Sequence, residues 1–172
     1  MKRFVYVGSL LVLILFFTVP VFAQMKIGYI NSARILTEFK DAIEVDQKLQ
    51  RESEKMAGDI NRMRVQIDSL LADYEKKQLI YSREKKAEVE GRLQTMYADV
   101  QKAQQDKFGE NGEFEKLRIQ LLNPILEKID KVIKELGQEG TYDFIFDARQ
   151  GNIVYADEDK YDITDLVLER LK

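Results

Sequence analysis

The pattern of apolar and polar positions divides the chain into stretches with different periods. From Phe4 to Phe17 the run is apolar, behind Lys2 and Arg3 and ahead of Pro20 and Val21-Phe22-Ala23. Lys26 to Ile30 is a short β-rich run ended by Asn31-Ser32, a pair suited to cap a following turn of helix. From Asp41 to about Tyr81 there is no proline, and Gly58 is the only glycine. Here Leu49, Ser53, Met56, Ile60, Met63, Ile67, Leu70 and Tyr74 alternate spacings of four and three. That rhythm is a coiled-coil seam, narrower than the apolar face of a helix lying on a globular core. Such a seam needs a partner helix.

The partner follows on the same chain. Periodicity fades in the polar segment from Glu75 to Lys86, where Ser82 is a suitable N-cap. Val89, Leu93, Met96, Val100 and Ala103 then resume the rhythm. Two such helices joined by a short bend predict an antiparallel hairpin, with arms of roughly 60 Å at 1.5 Å per residue. Gly109 and Gly112 should weaken the returning helix by about 1 kcal/mol each relative to Ala, so Ala there is expected to stiffen the arm. Pro124 should kink it. The stripe Phe114, Leu117, Leu121, Ile125, Ile129, Val132 and Leu136 carries it on to Gly137 and Gly140, which should end it.

The period then changes to two. Tyr142, Phe144 and Phe146 share one face of a predicted strand, with Asp143 and Asp147 on the other. Residues 148–152 read as a turn and Ile153-Val154-Tyr155 as the second strand of a hairpin, completed by the strand carrying Ile27 and Tyr29. Asp162-Ile163-Thr164-Asp165 should cap a last helix. The fold class is therefore α+β. Residues 24–41 and 137–172 form one small, β-containing body, and residues 42–136 form a long coiled-coil hairpin arm. Ile27, Tyr29, Tyr142, Phe144, Phe146, Ile153 and Tyr155 are the predicted body residues. So thin a core with open strand edges predicts an oligomer.

Composition narrows the function. The chain has no Cys, His or Trp, which removes thiol chemistry, the usual zinc ligands and the usual general bases. No enzyme, cofactor or metal site is expected. Asp157, Glu158, Asp159 and Asp162 lack the glycine of a tight calcium loop. The first 23 residues have the basic start, apolar stretch and small-residue cleavage pattern of a signal peptide cut after Ala23, and the run is too short for a bilayer span. Its removal leaves 25 basic and 30 acidic residues, a net charge near −5. That balance argues against nucleic acid as a partner.

Three groups of residues invite a binding role. Lys76, Lys77, Arg83, Lys85 and Lys86 make a basic tip that could touch an acidic membrane surface, although mixed charge is ordinary on exposed helix ends. Met56, Met63 and Met96 could be adaptable contacts, but their seam spacing makes them core first. Val65, Leu71 and Tyr97 lie off the seam and are the candidate client-binding residues; the alternative is that each covers a neighbouring stem.

Lys26-Ile-Gly-Tyr-Ile-Asn-Ser-Ala-Arg-Ile-Leu36, a long charged helical middle, Tyr142-Asp-Phe-Ile-Phe-Asp147 and Ile153-Val-Tyr-Ala-Asp157 with Tyr161-Asp-Ile-Thr-Asp-Leu-Val-Leu-Glu-Arg-Leu171 together resemble the OmpH family. The resemblance covers Gln24 to Lys172. It implies a homotrimer whose strands build one shared barrel-like body, with three helical arms enclosing a cavity. It also implies a periplasmic holdase that uses no nucleotide and binds unfolded outer-membrane β-barrel proteins. The best-known member is strongly basic, whereas this mature chain is acidic. A structural or adaptor coiled-coil protein of the cell envelope is the alternative reading.

Overall fold

A computed structural model describes residues 25–139, 142–151 and 153–172. The expected signal peptide, Gly140 and Asn152 lie outside them. Among the described residues, β1 (Ile27–Ile30) leads into α1 (Ser32–Glu38), and the long α2 (Lys40–Lys77) follows. α3 (Arg83–Phe108) and α4 (Glu113–Gln138) return to β2 (Phe144–Asp147), and two short helices, α5 (Glu158–Tyr161) and α6 (Thr164–Arg170), close the order.

β1 and β2 are parallel neighbours, with Ile27 opposite Phe144 and Ile30 opposite Asp147. Parallel strands cannot be joined by a tight turn and need a long crossover; here the whole helical arm is that crossover. The other edge of β1 meets the C-terminal segment, where Tyr29 bridges to Asp162 and the Ile163 N–H donates to the Tyr29 carbonyl at 2.9 Å. Both ends of the described chain are thereby drawn into one body. Gly28 leaves room for the Tyr142 ring close over the strand, where a Cβ would stand at a tight 3.1 Å from it.

The body core joins Ile30, Ile35 and Phe39 to Ile163, Val167 and Leu171, and takes in Ile125, Ile129, Val132 and Leu136 from α4. A polar thread ties the same elements. The Asn31 N–H donates to Thr164 Oγ1 at 2.9 Å, and the Asp162 carboxylate accepts from the Thr164 N–H at 2.8 Å and from its hydroxyl at 2.5 Å. Thr164 is wholly buried, so those bonds satisfy a group that would otherwise destabilise the core. Two of the predicted caps form: Asn31 accepts from the Arg34 N–H at 3.0 Å, and Ser82 from the Lys85 N–H at 3.2 Å, whereas α6 starts from Ile163 without a side-chain cap bond.

The seam also forms. Leu49, Met56, Ile60 and Ile67 are buried, and Ser53, Met63, Leu70 and Tyr74 are partly buried. Distally, Ile60 and Ile67 share a core with Val89, Leu93 and Val100. Polar pairs across the arm hold an antiparallel register: Lys107 with Asp59 at 3.3 Å, Arg64 with Gln104 at 2.9 Å, and Lys128 with Asp41 at 2.7 Å. The 38 residues of α2 span about 57 Å at 1.5 Å each.

Two expectations are corrected. The first concerns Ile153, Val154 and Tyr155, which form no strand: Val154 is 98% exposed and Tyr155 nearly as open. After β2 the chain enters a 3₁₀ turn at Ala148–Gln150, and Gly151 takes a left-handed conformation with φ of 69°. Asp147 fixes this turn by accepting from the Arg149 N–H at 3.1 Å and the Ser32 N–H at 3.3 Å. The segment is thus led away from the free edge of β2 and does not fold back along it.

Gly109 and Gly112 are the second correction, since they do not merely weaken a helix but end one and start another. Both are extended, with ψ of 175°, and Asn111 between them is left-handed at φ 62°. A Cβ on Gly109 would lie 2.4 Å from the Gln105 carbonyl oxygen, so Ala at this position meets backbone and cannot simply extend the helix. Phe108 and Phe114 bridge the break with ring centroids 5.9 Å apart. Pro124, by contrast, sits inside α4 without ending it.

Alternation leaves open which face of β2 enters the chain's own core. Within one chain it is Ile145, between the two phenylalanines, that packs on the core, while Phe144 and Phe146 are about half exposed.

Candidate functional site

Two surfaces gather the residues that the sequence singles out. The first is on the body, where Ile27, Gly28, Tyr29, Phe146, Ile153 and Tyr155 line a shallow hollow of about 310 Å³, closed at one side by Asp157 and Tyr161. Five of the seven predicted body residues meet there. Tyr142 lies around the corner beside Met25, Lys26 and Ile27, with the Lys26 ammonium 5.0 Å from its ring centroid. Phe144 stacks on Phe146 with centroids 6.2 Å apart and an interplanar angle of 14°. The lining is apolar apart from its rim. Burial, reinforced by the nearby Asp162, Glu158 and Asp157 carboxylates, holds the Tyr29 hydroxyl above its ordinary pKa, so it stays protonated.

Among the described residues no group of three or more His, Cys, Asp or Glu could hold a metal ion, and the polar neighbours are acidic side chains without a paired base or nucleophile. What this surface can do is bury: it offers a β2 edge with no strand partner among the described residues, beside exposed aromatic rings, the arrangement that pairs with another chain.

The second surface is the arm. Val65 and Tyr97 stand in water as expected for off-seam positions, about half exposed each. Leu71 does not; it is partly buried and packs on the distal core with Leu70 and Tyr74. Seam spacing explains the difference, because Val65 lies on the side of α2 away from the partner helix whereas Leu71 is next to the seam. The structure adds apolar side chains that spacing did not flag. Ile119 and Leu126 are open on α4, and Leu79 and Ile80 are almost fully exposed in the turn between α2 and α3. In the sequence this pair is only a Leu-Ile inside a charged segment, which does not say whether the two side chains are covered.

Of the basic tip, Lys77 is paired with Asp73 at 2.6 Å and Lys85 with Glu88 at 2.6 Å. The hydrogen bond to Asp73 raises the Lys77 pKa further above neutrality. Lys76, Arg83 and Lys86 have no carboxylate within 4.0 Å among the described residues. Tyr74 donates to the Glu90 carboxylate, which raises its own pKa. At the other end of the arm, Arg170 makes two bonds to Glu139, at 2.9 and 2.7 Å, and keeps that carboxyl below its usual range.

Comparison with known proteins agrees with this architecture. A crystal structure of an OmpH-like outer membrane chaperone candidate from Caulobacter crescentus CB15 superposes with a TM-score of 0.72 at 17% identity, covering 87% of this chain and 85% of that one. At that identity the likeness establishes the fold. No curated protein matches the sequence significantly. The family model for outer membrane protein (OmpH-like) matches residues 26–171, nearly the whole described chain, and the protein belongs to the OmpH-like family.

Proposed function

We propose that this protein is a periplasmic chaperone that holds unfolded outer-membrane β-barrel proteins without nucleotide, as a homotrimer with clients between its helical arms. The observation that carries the reading is the amount of apolar surface left in water by an otherwise charged chain. Phe144, Phe146, Val154 and Tyr155 crowd the body, and Val65, Tyr97, Ile119 and Leu126 are scattered along the arm. A monomer gains nothing from either set.

The body set fits a second and third copy. Pairing along the free edge of β2 removes an exposed edge and covers the stacked phenylalanines. The arm set fits clients: separate apolar contacts on a long surface hold a chain by multivalency without reading its sequence. Leu71, already packed, contributes less than Val65 or Tyr97. Export through a signal peptide cut after Ala23 places the protein where such clients travel.

The test is aggregation of several unrelated β-barrel proteins diluted from urea. Substoichiometric trimer should suppress it for all of them and leave a folded soluble control unbound. A passive adaptor coiled coil would protect none. Assembly is read separately: Phe144→Asp with Phe146→Asp should reduce the sedimentation mass about threefold while helicity stays, since these rings are not part of the single-chain core. If the double variant sediments like the wild type, the strand face is not the assembly surface.

A further inference from the structure

We infer that Met63 and Met96 are oxidation sites that open the distal arm, each taking one oxygen atom from a hypohalous acid or a peroxide to become a sulfoxide inside the seam. The chain has no cysteine, so among the described residues sulfur chemistry rests on Met25, Met56, Met63 and Met96. Their places differ. Met25 is 59% exposed ahead of β1 and belongs to neither core. Met56 is buried in the seam. Met63 and Met96 lie between these limits, partly buried and packed on the distal core. Met96 also lines an open groove with Gln66, Leu70 and Arg92, so a small oxidant reaches it from water.

The step is a two-electron one and balances. With hypochlorous acid the thioether sulfur gives a lone pair to chlorine, water supplies the oxygen, and chloride and one proton leave in the sum. With a peroxide the oxygen passes to sulfur and water or an alcohol leaves. The product is a strong hydrogen-bond acceptor where a soft thioether had packed. Seam neighbours on both helices are apolar, Ile60 and Ile67 about Met63, and Leu93 and Val100 about Met96. None of them can donate to the new oxygen, which therefore draws water into the seam. The distal core is built only from α2, α3 and the turn between them, so the two helices part locally. Leucine would pack at these positions about as well; the thioether adds a reactivity that leucine lacks.

Treatment of the chain purified after export with hypochlorous acid, quenched with free methionine, tests this without any client, so its failure is separable from failure of the chaperone reading. Peptide mass mapping should find added oxygen at Met25, Met63 and Met96 ahead of Met56. Amide exchange around Ile67 and Leu93 should then be at least about tenfold faster, while β1 and α6 keep their protection. Methionine sulfoxide reductases acting on both sulfoxide epimers should restore the original rates. Met25→Leu should leave the response whole, and Met63→Leu with Met96→Leu should abolish it at unchanged helicity. Met63→Gln with Met96→Gln, which puts polar amides in the seam without any oxidant, should exchange fast from the start. Unchanged exchange in a chain oxidised at both positions overturns the proposal, as does a double Leu variant that responds like the wild type. Oxygen found at Met25 alone overturns it too, because the seam would then shield its sulfur.

Discussion

In the body, Ile35, Leu136, Thr164 and Val167 are sealed from water by five elements drawn from both ends of the chain. The distal arm has one seam between two helices, and even its best-buried residues, Ile60 and Ile67, are covered from one side by Val89, Leu93 and Val100. The body is a small globular core; the arm is a line of contacts, each shared only with near neighbours. The difference teaches where the molecule can change shape at low cost. A loss in the body is felt by both chain ends and the strands, whereas a loss in the arm can stay local.

The largest expected effect breaks the body. Val167→Asp buries an unpaired charge where no water reaches, and should cost several kcal/mol and abolish cooperative unfolding altogether. Thermal denaturation would show it, and near-normal unfolding would mean that the body is not the stable unit. Ile67→Ala comes next, at about 2–4 kcal/mol by loss of buried methylene groups. Hydrogen exchange should show the distal helices opening while β1 and α6 stay protected; equal loss in both regions would erase the contrast between core and line.

Two glycines at the level of the arm's break sharpen the comparison further, because Ala should act oppositely at each. Gly58 lies within α2, and a Cβ there would meet only the end of the Arg62 side chain at 4.0 Å, so Gly58→Ala should stabilise by up to about 1 kcal/mol. Gly109→Ala should destabilise by about 1 kcal/mol or more, since its Cβ collides with the Gln105 carbonyl. Urea midpoints of the two variants moving in the same direction would refute this account of the break.

The smallest effect is on pH. Arg170 lowers the pKa of Glu139, and Arg118 that of Glu115 in the arm. For Asp147 burial pushes upward, but the bonds from Ser32 and Arg149 outweigh it and the net direction is also down. A carboxyl held low in the folded chain stabilises above its unfolded pKa, and that contribution disappears as pH falls through the folded value. Stability should therefore be flat through neutral pH and decline only below about pH 4–5, where carboxylates begin to protonate. With no histidine in the chain, a transition between pH 6 and 7 would contradict this.

Much of the arm was legible because its information is local. A four-three rhythm from Leu49 to Tyr74 and again from Val89 to Ala103 fixes two helices, and Ser82 fixes where the second begins. The body was legible in its elements but not in their pairing. Alternation in Tyr142 to Phe146 says that two faces differ; it does not say which face enters the chain's own core, and the structure gives that place to Ile145. The exposed pair Leu79-Ile80 and the partly buried Leu71 were beyond reach for a related reason, since exposure depends on what lies across the turn or seam.

By itself the sequence determined the long hairpin, its caps, the inventory that excludes thiol and histidine chemistry, and the meeting of both chain ends in one body. Only the tertiary structure decided that β1 and β2 run parallel, that 153–155 is not a strand, and that Gly109 to Gly112 break the helix outright. The physical reason is range. Helix periodicity and capping are satisfied within one turn of chain, where neighbouring residues carry all the needed partners. Strand pairing, the choice of buried face and the clash of a Cβ with a carbonyl depend on atoms that only folding brings together, across more than a hundred residues between β1 and β2.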